Sequence, residues 1–227
     1  MEGESGHWHY EQLEDTWMTD VKDIVYVPPE GETIVPQLGD SVPRRGGPLT
    51  RNFARLTMKL FGWEIEGVLP NSDKLLIIGA PHTSNWDWIL VMFTAYSLGV
   101  RISWMAKHTL FKKPFGGIMR WLGGVAIDRR GKHNTVEQAV YSFKETEKLV
   151  LCITPEGTRS KVREWKQGFY HIAHGADVPV VVAAFDYGRK RVRFGPTFKP
   201  TGNLEEDLPV IKSFYDGVVA RHPQHSF

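Results

Sequence analysis

The chain has 227 residues, 41% hydrophobic and 24% charged, which is material for one large domain or for a domain with a tail. Its one cysteine, Cys152, excludes an intramolecular disulfide, and its longest apolar stretch, from Trp88 to Val100, falls short of the roughly 20 residues that cross a bilayer. The net charge of +2 hides an asymmetry: residues 1–40 hold ten acidic residues against the single basic Lys22, leaving 27 basic and 16 acidic residues in 41–227. That excess predicts an anionic partner, and nucleic acid, anionic lipid headgroups and phosphorylated metabolites all satisfy it.

Residues 1–48 read as an acidic appendage, rich in turns at Pro28-Pro29-Glu30-Gly31 and ending in a linker from Pro43 to Pro48. Its aromatic residues Trp8, Tyr10 and Trp17 leave room for a docked helix over Glu11 to Val21. No basic start followed by an apolar run marks a secretory signal, and the lone thiol fits a reducing compartment, so a cytoplasmic, soluble or peripheral protein is expected.

Residues 49–227 read as the main domain, opening with an amphipathic basic helix over 49–63. On a helical wheel Leu49, Phe53, Leu56, Leu60 and Trp63 fall in one stripe, with Arg51, Arg55 and Lys59 opposite. Such a helix either packs its stripe on a core or lies in a membrane interface.

From Leu69 onward, apolar strand-like runs alternate with helical patterns. Strands are expected at Leu75–Gly79, Arg101–Ala106, Val125–Asp128, Leu149–Ile153 and Val178–Phe185, and helical segments at Trp86–Leu98, Pro114–Leu122, Asn134–Lys148 and Gly168–His174. The alternation predicts an α/β fold with a central, mostly parallel sheet flanked by helices, and the unbroken apolar strands fit a sheet covered on both faces. Gly188-Arg189-Lys190 reads as a hairpin turn into an antiparallel strand over Arg191 to Phe194, followed by a closing helix over Leu208 to Ala220. Cys152, set in a run of apolar residues, reads as a buried strand thiol.

Three strand ends carry candidate chemistry. Pro81-His82-Thr83-Ser84-Asn85-Trp86-Asp87 follows a strand and precedes a helix. With Ser84 as N-cap, Asp87 falls at the third helical position, where its carboxylate can hold one ring nitrogen of His82 and leave the other free as a base. Ser84-x-x-Asp87 is equally a capping box. Pro155-Glu156-Gly157-Thr158-Arg159-Ser160 offers hydroxyl and guanidinium donors suited to a phosphate, or forms a polar turn. Gly123 to Arg129 delivers Asp128 and Arg129 at another strand end. A metal site from His82, Asp87 and His108 has irregular spacing and no fourth ligand, so none is expected, and no nucleic-acid module is evident.

Taken together and in this order, these blocks resemble the lysophosphatidic acid and glycerol-3-phosphate acyltransferase family. His82 and Asp87 match its His-x4-Asp motif, Gly124–Arg129 its Gly-x-x-Phe-Ile-Asp-Arg block, and Pro155–Ser160 its Phe-Pro-Glu-Gly-Thr-Arg-Ser block. The stretch from Ala106 to Phe115 is similar to its Ala-Lys-x-Glu-Leu-Phe-x-x-Pro-Phe lead-in. Thr154 and Ala126 stand where the family commonly has Phe. The resemblance implies a fatty acyl transfer to a hydroxyl with no cofactor beyond acyl-CoA or acyl-carrier protein as co-substrate. In it His82, oriented by Asp87, is the base, and Arg129 and Arg159 hold the acceptor's phosphate. Glu156, Gly157, Thr158 and Ser160 complete the acceptor subsite.

Overall fold

A computed structural model describes residues 38–67, 69–127 and 135–226. The possible helix over Glu11 to Val21, together with Asp128 and Arg129, lies outside them. Among the described residues the elements in chain order are α1 (Pro48–Leu60), β1 (Glu64–Glu66), β2 (Lys74–Ala80), α2 (Asn85–Leu98), β3 (Ile102–Lys107), α3 (Gly116–Trp121), β4 (Gly124–Ile127), α4 (Thr135–Glu145), β5 (Leu149–Ile153), α5 (Gly168–Ala176), β6 (Val180–Asp186), β7 (Arg191–Phe198) and α6 (Leu204–Ser213).

The strands form one sheet in the order β1-β7-β6-β2-β5-β3-β4. Every pairing is parallel except the β6–β7 hairpin. Helices cover both faces, and this is why the central strands are apolar without interruption. Leu75 and Ile77 of β2 enter a core shared with α1 and α2, while Leu76, Ile78 and Ala80 enter another shared with α4, α5 and α6. Each such leucine or isoleucine side chain contributes about 1.5–3 kcal/mol by leaving water.

The parallel pairing has a positional consequence. β2, β3, β4, β5 and β6 all end at the same edge of the sheet, so His82, the loop after β5 and Tyr187 emerge side by side. Ligands bind at such an edge in open α/β sheets.

Three features depart from the sequence expectation. β1 was not anticipated; three residues, Glu64-Ile65-Glu66, carry too short an alternation to register, and the strand forms because β7 offers a free edge. The closing helix runs Leu204–Ser213, not Leu208 to Ala220. Its first turn gathers Glu205, Glu206 and Asp207, favourable at a helix N-terminus, and it accommodates Pro209 internally. The end of the appendage and the start of the expected linker lie against the domain: Leu38 and Val42 are buried, Arg44 bridges Val100, and Arg101 N–H donates to Pro43 O at 2.7 Å.

For α1 the sequence left two placements open, and the stripe does not pack on the core. Only Ala54 and Met58 are buried, and Arg55 Nε donates to Ser97 O of α2 at 3.0 Å. The stripe therefore faces away from the core, leaving Leu49 86%, Phe53 65%, Leu56 56% and Leu60 75% exposed. Only Trp63 turns inward, its ring edge-on to Tyr187 with centroids 4.9 Å apart. Among the described residues no helix is long and apolar enough to cross a membrane.

Candidate active site

The loop joining β2 to α2 carries the first motif. Ser84 is the N-cap of α2: its Oγ accepts from Trp86 N–H at 3.2 Å, and Asp87 reaches back to close a capping box. The same carboxylate does more than cap. Its Oδ2 accepts from Thr83 N–H and Ser84 N–H, both at 2.8 Å, and lies 3.0 Å from His82 Nδ1. Its Oδ1 accepts from Tyr187 Oη at 2.7 Å. Capping and histidine orientation were alternative readings of the sequence; the structure satisfies both, because a carboxylate has lone pairs enough for four donors.

Asp87 is 1% exposed, whereas the His82 side chain retains 21%. Burial pushes the Asp87 carboxyl up, but the hydrogen bonds from His82, Tyr187 and Ser84 and the charge of His82 outweigh it, leaving the net shift downward. An ionised Asp87 accepts only, so the proton between it and the ring sits on His82 Nδ1. Nε2 then keeps its lone pair and can take a proton.

Glu156 is a buried partner of the histidine loop. It is 3% exposed, and His82 N–H donates to its Oε1 and Oε2, each at 2.9 Å. Its carboxylate braces the histidine loop. Burial is the main reason that its carboxyl is raised to about 7; the bond from His82 opposes this. Pro155 is buried as well, while Gly157, Thr158, Arg159 and Ser160 form the exposed surface of the loop. Gly157 has φ +63°, a left-handed conformation that glycine adopts without strain. Arg159 Nη1 donates to Asn85 Oδ1, which brings the guanidinium to the start of α2.

Behind the pair lies an apolar cavity of about 180 Å³. His82 and Asp87 stand at its polar end, and it runs between α2 and the sheet past Trp88, Val91 and Met105 towards Leu98 and Ile102. Cys152 also lines it, and burial pushes this thiol up to about 12, which leaves it protonated and unsuited to attack. The arrangement can remove a proton from a hydroxyl at the mouth of an apolar slot. Among the described residues no three His, Cys, Asp or Glu side chains are grouped to hold a metal ion.

Tyr187 is the residue sequence reasoning missed. It directly follows β6 at the same edge as the motifs, which was the available signal; its reach across to Asp87 depends on the pairing of β6 with β2, which no local pattern records.

A family model described as Acyltransferase matches residues 63–186. The chain is similar to the 1-acyl-sn-glycerol-3-phosphate acyltransferase of Haemophilus influenzae, 32% identical over 149 residues, covering 61% of this chain and 60% of that protein. It is likewise 32% identical over 140 residues to the protein of that name from Salmonella typhimurium, covering 57% and 55%. The matched stretch thus spans less than two thirds of either relative. Among solved structures, the 1-acyl-sn-glycerophosphate (LPA) acyltransferase PlsC from Thermotoga maritima shares the fold, with TM-score 0.55 and 21% identity over 73% of this chain and 75% of that one.

Proposed function

The chain belongs to the acyltransferase family, and from that premise we propose that it transfers a fatty acyl group from acyl-CoA or acyl-carrier protein to the free hydroxyl of a lysophospholipid-type acceptor in phospholipid biosynthesis. Relatives named for 1-acyl-sn-glycerol-3-phosphate support that compound as the acceptor. The observation that carries the reading is the His82–Asp87 pair, 3.0 Å apart, at the polar end of an apolar cavity.

In this reading His82 Nε2 takes the acceptor's hydroxyl proton as the oxygen attacks the thioester carbonyl. The tetrahedral intermediate collapses with cleavage of the C–S bond, and the protonated His82 returns its proton to the departing thiolate. No acyl-enzyme forms. Asp87 holds the imidazole in the tautomer that exposes Nε2 and stabilises the imidazolium between the two steps. A single histidine base is worth typically about 10² to 10⁴ in rate, so the positioning of two substrates supplies much of the remainder. Arg159 contributes to binding the acceptor's phosphate; Arg129, outside the described residues, is proposed for the same role.

The exposed stripe of α1 fits a peripheral protein on the cytoplasmic face of an anionic membrane, where a lysolipid acceptor resides. The net charge of residues 41–227 supports the anionic preference.

The decisive experiment incubates purified protein with a labelled acyl thioester and a panel of hydroxyl acceptors. Acylation of 1-acylglycerol 3-phosphate is expected. Release of free fatty acid at the full rate without any acceptor would show a hydrolase instead. The membrane role has its own test: replacing Leu56 and Leu60 by Ser should remove about 3 kcal/mol of apolar burial, roughly a hundredfold in binding to anionic vesicles. Unchanged co-sedimentation would remove α1 from the interface.

A further inference from the structure

The segment from Val219 to His222, near the end of the described residues, is laid across the histidine loop. Tyr187 N–H donates to Val219 O at 2.8 Å, and His222 N–H donates to Thr83 Oγ1 at 3.2 Å, Thr83 being 5% exposed. Between these two anchors, Arg221 extends over the site mouth. Its guanidinium carbon lies 5.1 Å from the Trp86 ring centre and 5.7 Å from that of Tyr187.

We propose that Arg221 is an anion-binding residue of this site, holding the phosphate monoester of the acceptor together with Arg159. The proposal rests on the acceptor reading given above. Three observations carry it.

Arg221 is exposed, and among the described residues no carboxylate pairs with it. Arg189, Arg191 and Arg193 by contrast each reach Asp186, Glu64 or Glu66 within 4.0 Å. The nearby carboxylate, Asp87, is already committed to four donors. The guanidinium lies beside the two rings and also bonds the Tyr187 hydroxyl, contacts that reduce the freedom of the side chain, while its five N–H groups are more than that one bond uses.

The backbone at this helix end has little left to give. Thr83 and Ser84 N–H go to Asp87 and Trp86 N–H goes to Ser84 Oγ. An anion at the mouth therefore draws most of its donors from side chains. Arg159 binds Asn85 and Arg221 stacks on Trp86, which sets two guanidinium groups on neighbouring residues of the first helical turn. A phosphate accepts from two forks of this kind better than from one.

The competing role is a surface staple in which Arg221 merely fastens the last segment to Trp86. Titration calorimetry of the full chain with inorganic phosphate, with no acyl donor present, separates the two. The wild type should bind, Arg221→Ala should bind roughly tenfold more weakly or worse, and Arg221→Lys should recover part of the loss. Equal binding by wild type and Arg221→Ala, or none by either, overturns the proposal. In the transfer assay, Arg221→Ala should raise KM for 1-acylglycerol 3-phosphate roughly tenfold, with kcat and donor KM unchanged and no effect on a monoacylglycerol that lacks the phosphate. A rise in KM for acyl-CoA alone would assign the phosphate to the donor and overturn the acceptor role. Should the wild type acylate no phosphorylated acceptor, the functional reading fails, while calorimetry still decides whether Arg221 binds phosphate.

Discussion

The loops after β2 and after β5 leave the same sheet edge side by side, yet they are built in opposite ways. The first is closed upon itself: Asp87 is 1% exposed, takes four donors, and fixes both the histidine ring and the start of α2. The second presents Thr158, Arg159 and Ser160 to solvent, with Arg159 touching only the side chain of Asn85 among the bonds seen there. A proton-transfer group gains from a single fixed geometry, because a small misplacement lowers the rate steeply. A group that gathers a flexible, charged substrate from solution gains from staying accessible. The difference predicts that the first loop governs turnover and the second governs binding.

The largest effect should come from splitting the two on that axis. His82→Ala should lower kcat by about 10² to 10⁴, whereas Arg159→Ala should mainly raise KM for a phosphorylated acceptor. Steady-state kinetics on both variants checks this, and full transfer activity in the His82→Ala protein would sink the mechanism.

Glu156 cuts across the comparison, since it belongs to the second motif by sequence and to the first loop by contact. Its carboxyl, raised to about 7 from 4.5, binds a proton more tightly in the folded chain than in the unfolded one. Stability from this group is therefore fully present below pH 4.5 and is lost as pH rises towards 7, by up to about 3 kcal/mol at 1.36 kcal/mol per unit. Asp87, shifted the other way, loses its contribution only at acid pH, so the two windows separate. Glu156→Gln keeps an oxygen for His82 N–H but cannot ionise. Urea unfolding at pH 5 and pH 8 should show a steep decline in the wild type and a flatter one in the variant; parallel slopes would place the glutamate's proton elsewhere.

The sequence carried the sheet and the motifs because both are written locally. The apolar runs of β2, β5 and β6 record burial on two faces, and the spacing of Ser84 and Asp87 records a helix start. What escaped depends on which strand lies beside which. β1 exists because β7 presents an edge. The α1 stripe reads the same whether it faces a core or solvent, and only the packing of Ala54 and Met58 on α2 decides. Glu156 sits in a motif whose surface neighbours look like ligand donors, yet its buried side chain turns towards His82. Tyr187 and Arg221 reach the site from chain positions 100 and 134 residues beyond Asp87, through contacts that no pattern around them encodes.

Tyr187 gives the finest test of the contrast, because it belongs to neither motif and yet donates to Asp87 at 2.7 Å. Burial, followed by its bond to Asp87, raises the phenol well above its usual range, so it remains a donor throughout the working pH range. That bond is one of those holding the Asp87 carboxyl down. Removing it in Tyr187→Phe should let Asp87 protonate at a higher pH, and a protonated Asp87 no longer fixes the proton on His82 Nδ1. The acid limb of kcat/KM should then move upward, while activity above neutral pH falls only a few-fold. A phenol that merely filled space beside Trp63 would lower activity at every pH alike when lost, leaving the acid limb where it was. A limb that stays in place would detach Tyr187 from the proton chemistry and leave Asp87 governed by its own loop alone.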